Sequence, residues 1–315
     1  MGRSLSPKIV FMGSPKFAGG ILESLVKKGM VPSAVFTQED KKGERGRKIL
    51  ETDVKKIAKS YSIPVYQPKK LNDDEVIQNL KKLEPDFIVV AAYGKILPET
   101  VLKIPGIAPV NVHASILPRW RGASPIHHSI LYGDKSTGIT IMKMDKGIDT
   151  GPLYFVSKEL EIDKKDTLLT LTEKLTKLAA EILPEILLKI KDGELKETEQ
   201  KKEGITYAPR IKKEDGHIDF SREAEFIERM VRAFNPWPRC YFFLQGKRIT
   251  VYESEIVYDI KNSDYGILLS SKDMVFSCGN KTAIRFCRVQ MEGKKIVSGK
   301  DFLRGFKVDA GEKVK

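Results

Sequence analysis

The chain has 315 residues, 41% apolar and 31% charged, the composition of an ordinary globular protein with room for two domains. No apolar run approaches the ~20 residues a spanning helix needs, the opening MGRSLSPKIVF lacks a signal-peptide pattern, and the three scattered cysteines, Cys240, Cys278 and Cys287, exclude a disulfide framework and a metal-type Cys-x-x-Cys pair. A cytoplasmic setting follows, and the net charge of +13, split as +8 over residues 1–189 and +6 over 210–315, points to a polyanion lying across both halves, most simply a nucleic acid.

Residues 8–12, KIVFM, read as a buried strand. Ser14 then reads as an N-cap and Pro15 as the first helical residue, where a missing N–H costs nothing. Ala18, Ile21, Leu22 and Leu25 carry that helix to about Lys28. SAVFT (33–37) is a second strand, a helix covers 52–61, PVYQP is extended, and a helix near 73–83 leads into DFIVVAAYG (86–94). That last run is apolar throughout, as in a strand buried on both faces. IAPVNVHAS (107–115) is a further strand, ASPIHHSILYG a helix, and TGITIMKM (137–144) and GPLYFVSKELEI (151–162) are extended. A long helix follows from Asp166, its N-cap, to about Ile190; Leu168, Leu171, Leu175, Leu178 and Ile182 form its apolar stripe, and Pro184 is expected to kink it. Alternating strands and helices predict an α/β fold with a largely parallel sheet.

Residues 190–209 are mostly polar and read as a linker between a domain at 1–189 and another at 210–315. Beyond it one helix (Ala224–Ala233) precedes short β-type segments separated by Gly, Asn and Asp turns, the pattern of a small β-barrel.

A dinucleotide fingerprint is absent, because the second glycine of GSPKFAGG falls too late. The informative region is 109–152. Asn111 and His113 stand two apart on a predicted strand, so both side chains share one face, at the end where open α/β sheets place their ligand crevice. The loop 145–151 can return Asp149 to the imidazole. Such a set suits acyl transfer: Asn111 donates to a developing oxyanion, His113 donates or moves a proton, and Asp149 fixes the imidazole. Taken alone, Asn-x-His with a distant Asp fits a satisfied structural cluster equally well. His127, His128 and His217 read as structural or solvated. Lys41, Lys42, Arg45, Arg47 and Lys48 cluster in a Gly-containing loop that is either a solvated surface or a phosphate-contacting arm. Trp237, in the Asn235–Pro238 turn, reads as a core anchor or an inter-domain contact.

IVFMGSPKFAGGILESL, VVAAYGKILP, NVHASILPRWRGASPI, KGIDTG, KEDGHIDF, VRAFNPWP and VQMEGKKIVSGKDFLRG, in that order, resemble the motifs of the methionyl-tRNA formyltransferase family. The resemblance implies a Rossmann-like formyltransferase domain followed by an OB-like β-barrel domain. It places Asn111, His113 and Asp149 as the catalytic set. It assigns 10-formyltetrahydrofolate to Ser115, Ile116, Leu117 and Pro118 together with Lys95, Ile96 and Leu97. It makes the basic loop the arm that grips initiator methionyl-tRNA, with Arg45 at its key position. A monomer without a metal is implied. The chain departs from the family pattern at Ala114, where glycine is usual, at Lys16, where an acid is common, and at Arg239 and Cys240, where small residues are usual. Rival readings are a formyltransferase acting on glycinamide ribonucleotide or an amino-sugar nucleotide, a nucleic-acid-binding module without activity, and a hydrolase that deformylates the folate. The barrel and basic loop argue against a small substrate, and the intact Asn-His-Asp set argues against an inactive module.

Overall fold

The computed structural model describes residues 6–42, 49–258 and 264–314. The chain forms two compact units: Met1–Pro125, Ser136–Glu161 and Thr172–Pro209 in the first, and Ile126–Lys135, Ile162–Leu171 and Arg210–Lys315 in the second.

In chain order the elements up to residue 191 are β1 (Ile9–Gly13), α1 (Lys16–Lys27), β2 (Ala34–Phe36), β3 (Lys41–Lys42), β4 (Ile49–Leu50), α2 (Asp53–Ser60), β5 (Val65–Tyr66), α3 (Asp74–Lys82), β6 (Phe87–Ala91), α4 (Glu99–Leu102), β7 (Ala108–His113), α5 (Pro125–Leu131), β8 (Ser136–Thr137), β9 (Thr140–Lys143), β10 (Leu153–Val156), β11 (Leu160–Glu161) and α6 (Leu168–Lys191). The main sheet has the order β10-β9-β7-β6-β1-β2-β5, parallel from β7 to β5, with β9 and β10 added antiparallel at one edge. The chain winds outward from β1 through β2 to β5, then returns to β6 on the other side of β1. This reversal puts a crevice beyond the carboxyl ends of the central strands.

Both central strands are buried at every residue, as their unbroken apolar runs require. Val10, Met12, Ile88 and Val90 pack with Phe36, Leu80, Tyr93, Leu97 and Val101 on one face, and by the two-residue period Ile9, Phe11, Phe87 and Val89 turn the other way. Pro184, the expected kink, sits inside a continuous helix. Its missing N–H would leave the Ala180 carbonyl without the usual helical donor; the Ser24 hydroxyl on α1 donates to that oxygen at 2.7 Å instead. Ser14 does not cap α1, whose N-cap is Pro15 with no side-chain bond. The Ser14 hydroxyl oxygen instead accepts from the Gln38 N–H at 3.1 Å, joining the loops after β1 and β2.

The second unit contains α7 (Ala224–Ala233), β12 (Cys240–Leu244), β13 (Lys247–Val257), β14 (Val275–Ser277), β15 (Ala283–Met291), β16 (Val297–Ser298) and α8 (Gly299–Gly305). Its sheet is antiparallel, in the order β12-β13-β15-β14 with β16 on β15, a half-barrel whose β13–β15 register shifts on either side of Glu253. Gln245 and Gly246 both take left-handed φ (47° and 73°), which suits the tight hairpin between β12 and β13. Phe220, Phe242, Phe276 and Phe286 interlock at its core with ring centroids 5.2–6.1 Å apart. Residues 265–271 make only isolated bridges, Ile267 to Lys313 and Leu268 to Phe276. Trp237 is 49% exposed and is not a core anchor. Among the described residues no helix is long and apolar enough to cross a membrane.

Candidate active site

β7 carries the two central side chains. Its neighbours Val110 and Val112 are buried in the sheet, and Asn111 and His113 occupy the alternate positions. Asp149 reaches them from the loop between β9 and β10. That loop turns tightly: Asp145 accepts from the Gly147 N–H at 3.0 Å and the Thr150 hydroxyl at 2.7 Å. A Cβ on Gly151 would land on the Lys143 carbonyl oxygen, so the loop closes only with glycine there. Asp149 itself has φ 52°, a conformation that aspartate tolerates better than most residues.

The three side chains meet. The Asn111 carboxamide donates to Asp149 Oδ1 at 2.9 Å. Asp149 Oδ2 accepts from the Gly122 N–H at 2.8 Å and lies 3.5 Å from His113 Nδ1. The other imidazole nitrogen, Nε2, is 2.9 Å from the Trp120 carbonyl oxygen. His113 is 5% exposed and the Asp149 side chain 13%, so these contacts are shielded from water. Both ring nitrogens face oxygen atoms. Gly122 is required at its place: its φ is 124°, and a Cβ would stand 2.6 Å from the Ala208 carbonyl oxygen.

Sequence reasoning missed the support around this set. The Gln200 carboxamide donates to the carbonyls of Asp149 at 2.9 Å and Gly151 at 2.8 Å, while its oxygen accepts from Arg121 Nη2 at 2.8 Å. The Trp120 N–H donates to the Thr206 hydroxyl at 2.9 Å, the Arg121 N–H to the Thr206 carbonyl at 2.9 Å, and the Ala208 N–H to the Arg121 carbonyl at 2.7 Å. Residues 190–209, expected as a linker, thus brace the Asp149 loop within the first unit. A polar stretch without periodicity gives no signal of such a role.

Ser115, Ile116, Leu117 and Pro118 form a tied wall beside His113. Ser115 Oγ donates to the Arg119 carbonyl at 2.6 Å, and the Thr140 hydroxyl both donates to the Ser115 carbonyl at 2.7 Å and accepts from the Leu117 N–H at 3.1 Å. The Ser115 and Leu117 side chains are buried, so Ile116, Pro118 and the backbone are what this wall can present. Lys95 is bound to the Pro68 and Lys69 carbonyls at 2.5 and 3.0 Å, Leu97 is in the core, and Ile96 is 83% exposed. Tyr93, before them, buries a hydroxyl with no partner, and burial pushes its ionisation up to about 12. Ala114 is buried, Lys16 pairs with Glu173 at 2.6 Å, and Cys240 is a core residue.

Of the basic cluster, Lys41 and Lys42 form β3, paired with Leu50 and Ile49 of β4. Arg45, Arg47 and Lys48 lie outside the described residues. The chain leading into and out of β3 and β4 is fixed by a half-buried network. Lys55 donates to Asp40 at 2.5 Å and to Gln67 at 2.7 Å, and Gln67 donates to Asp40 at 2.9 Å. Among the described residues no group of His, Cys, Asp and Glu side chains is arranged to hold a metal ion.

Residues 7–187 match the family model described as Formyl transferase, and residues 210–307 match Formyl transferase, C-terminal domain. The chain is 44% identical to the methionyl-tRNA formyltransferase of Caldanaerobacter subterraneus subsp. tengcongensis, over 96% of this chain and 98% of that one. It is 42% identical to the methionyl-tRNA formyltransferase of Magnetococcus marinus, over 98% of each. Among solved structures, the sugar 3N-formyl transferase WlaRD has a similar fold, with TM-score 0.64, 18% identity and coverage of 92% of this chain and 99% of that one. HypX from Aquifex aeolicus, solved with tetrahydrofolic acid, superposes with TM-score 0.62 at 14% identity, covering 98% of this chain and 51% of that one.

Proposed function

The chain belongs to the formyl transferase family, and from that membership and the Asn111–Asp149–His113 set we propose that it transfers the formyl group of 10-formyltetrahydrofolate to the amine of initiator methionyl-tRNA. The product, N-formylmethionyl-tRNA, serves translation initiation in the cytoplasm. The observation that carries this reading is the Asn111–Asp149 hydrogen bond with His113 beside it at the carboxyl end of β7, inside a chain that matches methionyl-tRNA formyltransferases over nearly all of its length.

A bond forms between the uncharged methionyl nitrogen and the formyl carbon while the bond from that carbon to N10 of the donor breaks. One proton passes from the amine to N10. Asn111 uses one amide hydrogen on Asp149; the other is available to the oxyanion. The Asp149 carboxylate holds Asn111 and the imidazole in register, so the donors need no reorganisation as charge develops. His113 exchanges the Trp120 carbonyl for the reacting oxygen, or carries the moving proton. The wall at Ser115–Pro118 gives the donor a rigid flank at Ile116, and exposed Ile96 gives it an apolar face. Lys41, Lys42, Arg45, Arg47 and Lys48 hold tRNA phosphates. The chain acts as a monomer and needs no metal.

The test supplies 10-formyltetrahydrofolate with labelled formyl and compares four acceptors: charged initiator tRNA, uncharged tRNA, elongator methionyl-tRNA and glycinamide ribonucleotide. Label on the charged initiator alone is expected. Label on the ribonucleotide instead would move the substrate to a small amine, and no transfer would overturn the reading.

A further inference from the structure

A strand with one face on a core ordinarily shows polar residues on the other. β12 does not. Cys240, Phe242 and Leu244 fill the half-barrel core, and the alternate residues Tyr241 and Phe243 turn outward. The ladder extends this surface: Phe243 stands opposite Arg248, Tyr241 opposite Thr250, and Thr250 opposite Gln290. On its other side Tyr241 bridges to His217, which is exposed.

The rings form one group. His217 lies edge-on to Tyr241 with centroids 5.4 Å apart, Tyr241 is perpendicular to Phe243 at 5.9 Å, and His217 is 6.1 Å from Phe243. The Arg248 guanidinium sits 3.9 Å above the Tyr241 ring, and its buried Nε has no hydrogen-bond partner. Beside it Arg239 covers Tyr252 at 4.9 Å and donates to that hydroxyl at 2.9 Å. Phe243 remains 40% exposed. The row His217–Tyr241–Thr250–Gln290 contains no carboxylate, while the row Phe243–Arg248 runs on to Glu292, whose N–H donates to the Arg248 carbonyl at 3.2 Å.

An exposed ring edge by edge with others, next to a guanidinium held over a ring, matches a ligand that is flat and apolar in one part and anionic in the next. A nucleotide has that form. Stacking on aromatics is sequence-tolerant because every base offers a π-face, and arginine supplies both phosphate contact and cation–π attraction. A peptide aromatic would satisfy the rings and leave the guanidinium without its anion.

We propose that His217, Tyr241, Phe243 and Arg248 form a platform on which an unpaired base of the RNA substrate stacks, with its phosphate on Arg248. This rests on the reading that the substrate is a tRNA, and it names C-terminal residues that hold it.

The experiment uses the full-length protein and its Phe243→Ala and Phe243→Trp variants. Fluorescence anisotropy measures binding of a labelled oligouridylate, of the same length of duplex RNA, and of an aromatic-rich peptide; steady-state kinetics give kcat and KM for charged tRNA. Removing one stacked ring is expected to weaken oligouridylate binding about 5- to 100-fold, with the tryptophan variant retaining it and the duplex unaffected. KM for tRNA rises and kcat at saturation stays. Because Phe243 is outside the Phe220–Phe242–Phe276–Phe286 cluster, the thermal midpoint is expected to hold. Unchanged oligouridylate binding by Phe243→Ala overturns the platform, as does a loss confined to the peptide or a loss matched by a falling midpoint. Failure of the wild type to formylate any tRNA sinks the substrate reading instead, and is scored separately from the oligouridylate result.

Discussion

Replacing Asp149 by asparagine tests the site most sharply at constant shape. The carboxylate accepts from Asn111 on one oxygen and from Gly122 on the other, and the second oxygen also faces His113 Nδ1. An amide has one oxygen. Either orientation therefore sets its NH2 against a donor, the Asn111 amide in one case and the Gly122 N–H with the imidazole in the other. The side chain is 13% exposed, so water cannot fully substitute. Losing one hydrogen bond to a charged acceptor lowers stability by about 1.5–3 kcal/mol. The catalytic effect is larger, because the imidazole loses its anion and its fixed orientation; comparable aspartate–imidazole pairs elsewhere are worth on the order of 10²–10⁴-fold in kcat. Single-turnover formylation of charged tRNA measures the rate, and urea unfolding measures the stability. A variant as stable as wild type and as fast would refute the assignment of Asp149 to both roles.

Three further outcomes follow from the geometry. Ser24→Ala removes the donor that serves the Ala180 carbonyl opposite Pro184, and chemical denaturation is expected to show a loss of about 1–2 kcal/mol; no loss would mean that the helix satisfies this oxygen otherwise. Burial, and then the neighbouring His128, push His127 down to about 4, against about 6.5 in an unfolded chain. The unfolded state thus binds more protons between those values, and stability is lost as pH falls from about 6.5 toward 4, by about 2 kcal/mol between pH 7 and pH 5. Urea unfolding of wild type and His127→Gln at both pH values checks this, and equal slopes would contradict it. Arg45→Ala is expected to raise KM for tRNA and reduce the salt slope of tRNA binding by about 1, leaving kcat in place; unchanged salt dependence would remove Arg45 from the phosphate contacts.

Much of the first unit was legible because its signals are local. The apolar runs at 8–12 and 86–94 could only be buried strands, and the two-residue spacing of Asn111 and His113 fixed their common face before any contact was known. What escaped was non-local. Ser14 has the residue type and place of an N-cap, yet the nearby Gln38 N–H claims its oxygen. Gln200 is 51 residues from Asp149 and sits in a stretch with no hydrophobic period, so nothing in its neighbourhood announces that it holds the loop that carries Asp149. Trp237 in its turn reads equally as a core anchor or an inter-domain contact, and its 49% exposure removes the first, the core of the second unit being built on four interlocking phenylalanines. Alternation in YFFL showed a strand, while the aromatic outer face became meaningful only once the ladder set His217 and Arg248 beside it.

The central claim is that Asn111 on β7 stabilises the oxyanion of formyl transfer. Its direct measurement is the single-turnover rate of formyl transfer to charged initiator tRNA by Asn111→Ala, with donor and tRNA both saturating. A fall of about 10²–10³-fold is the predicted result, the loss expected for one preorganised oxyanion donor. A rate equal to that of the wild type would contradict it.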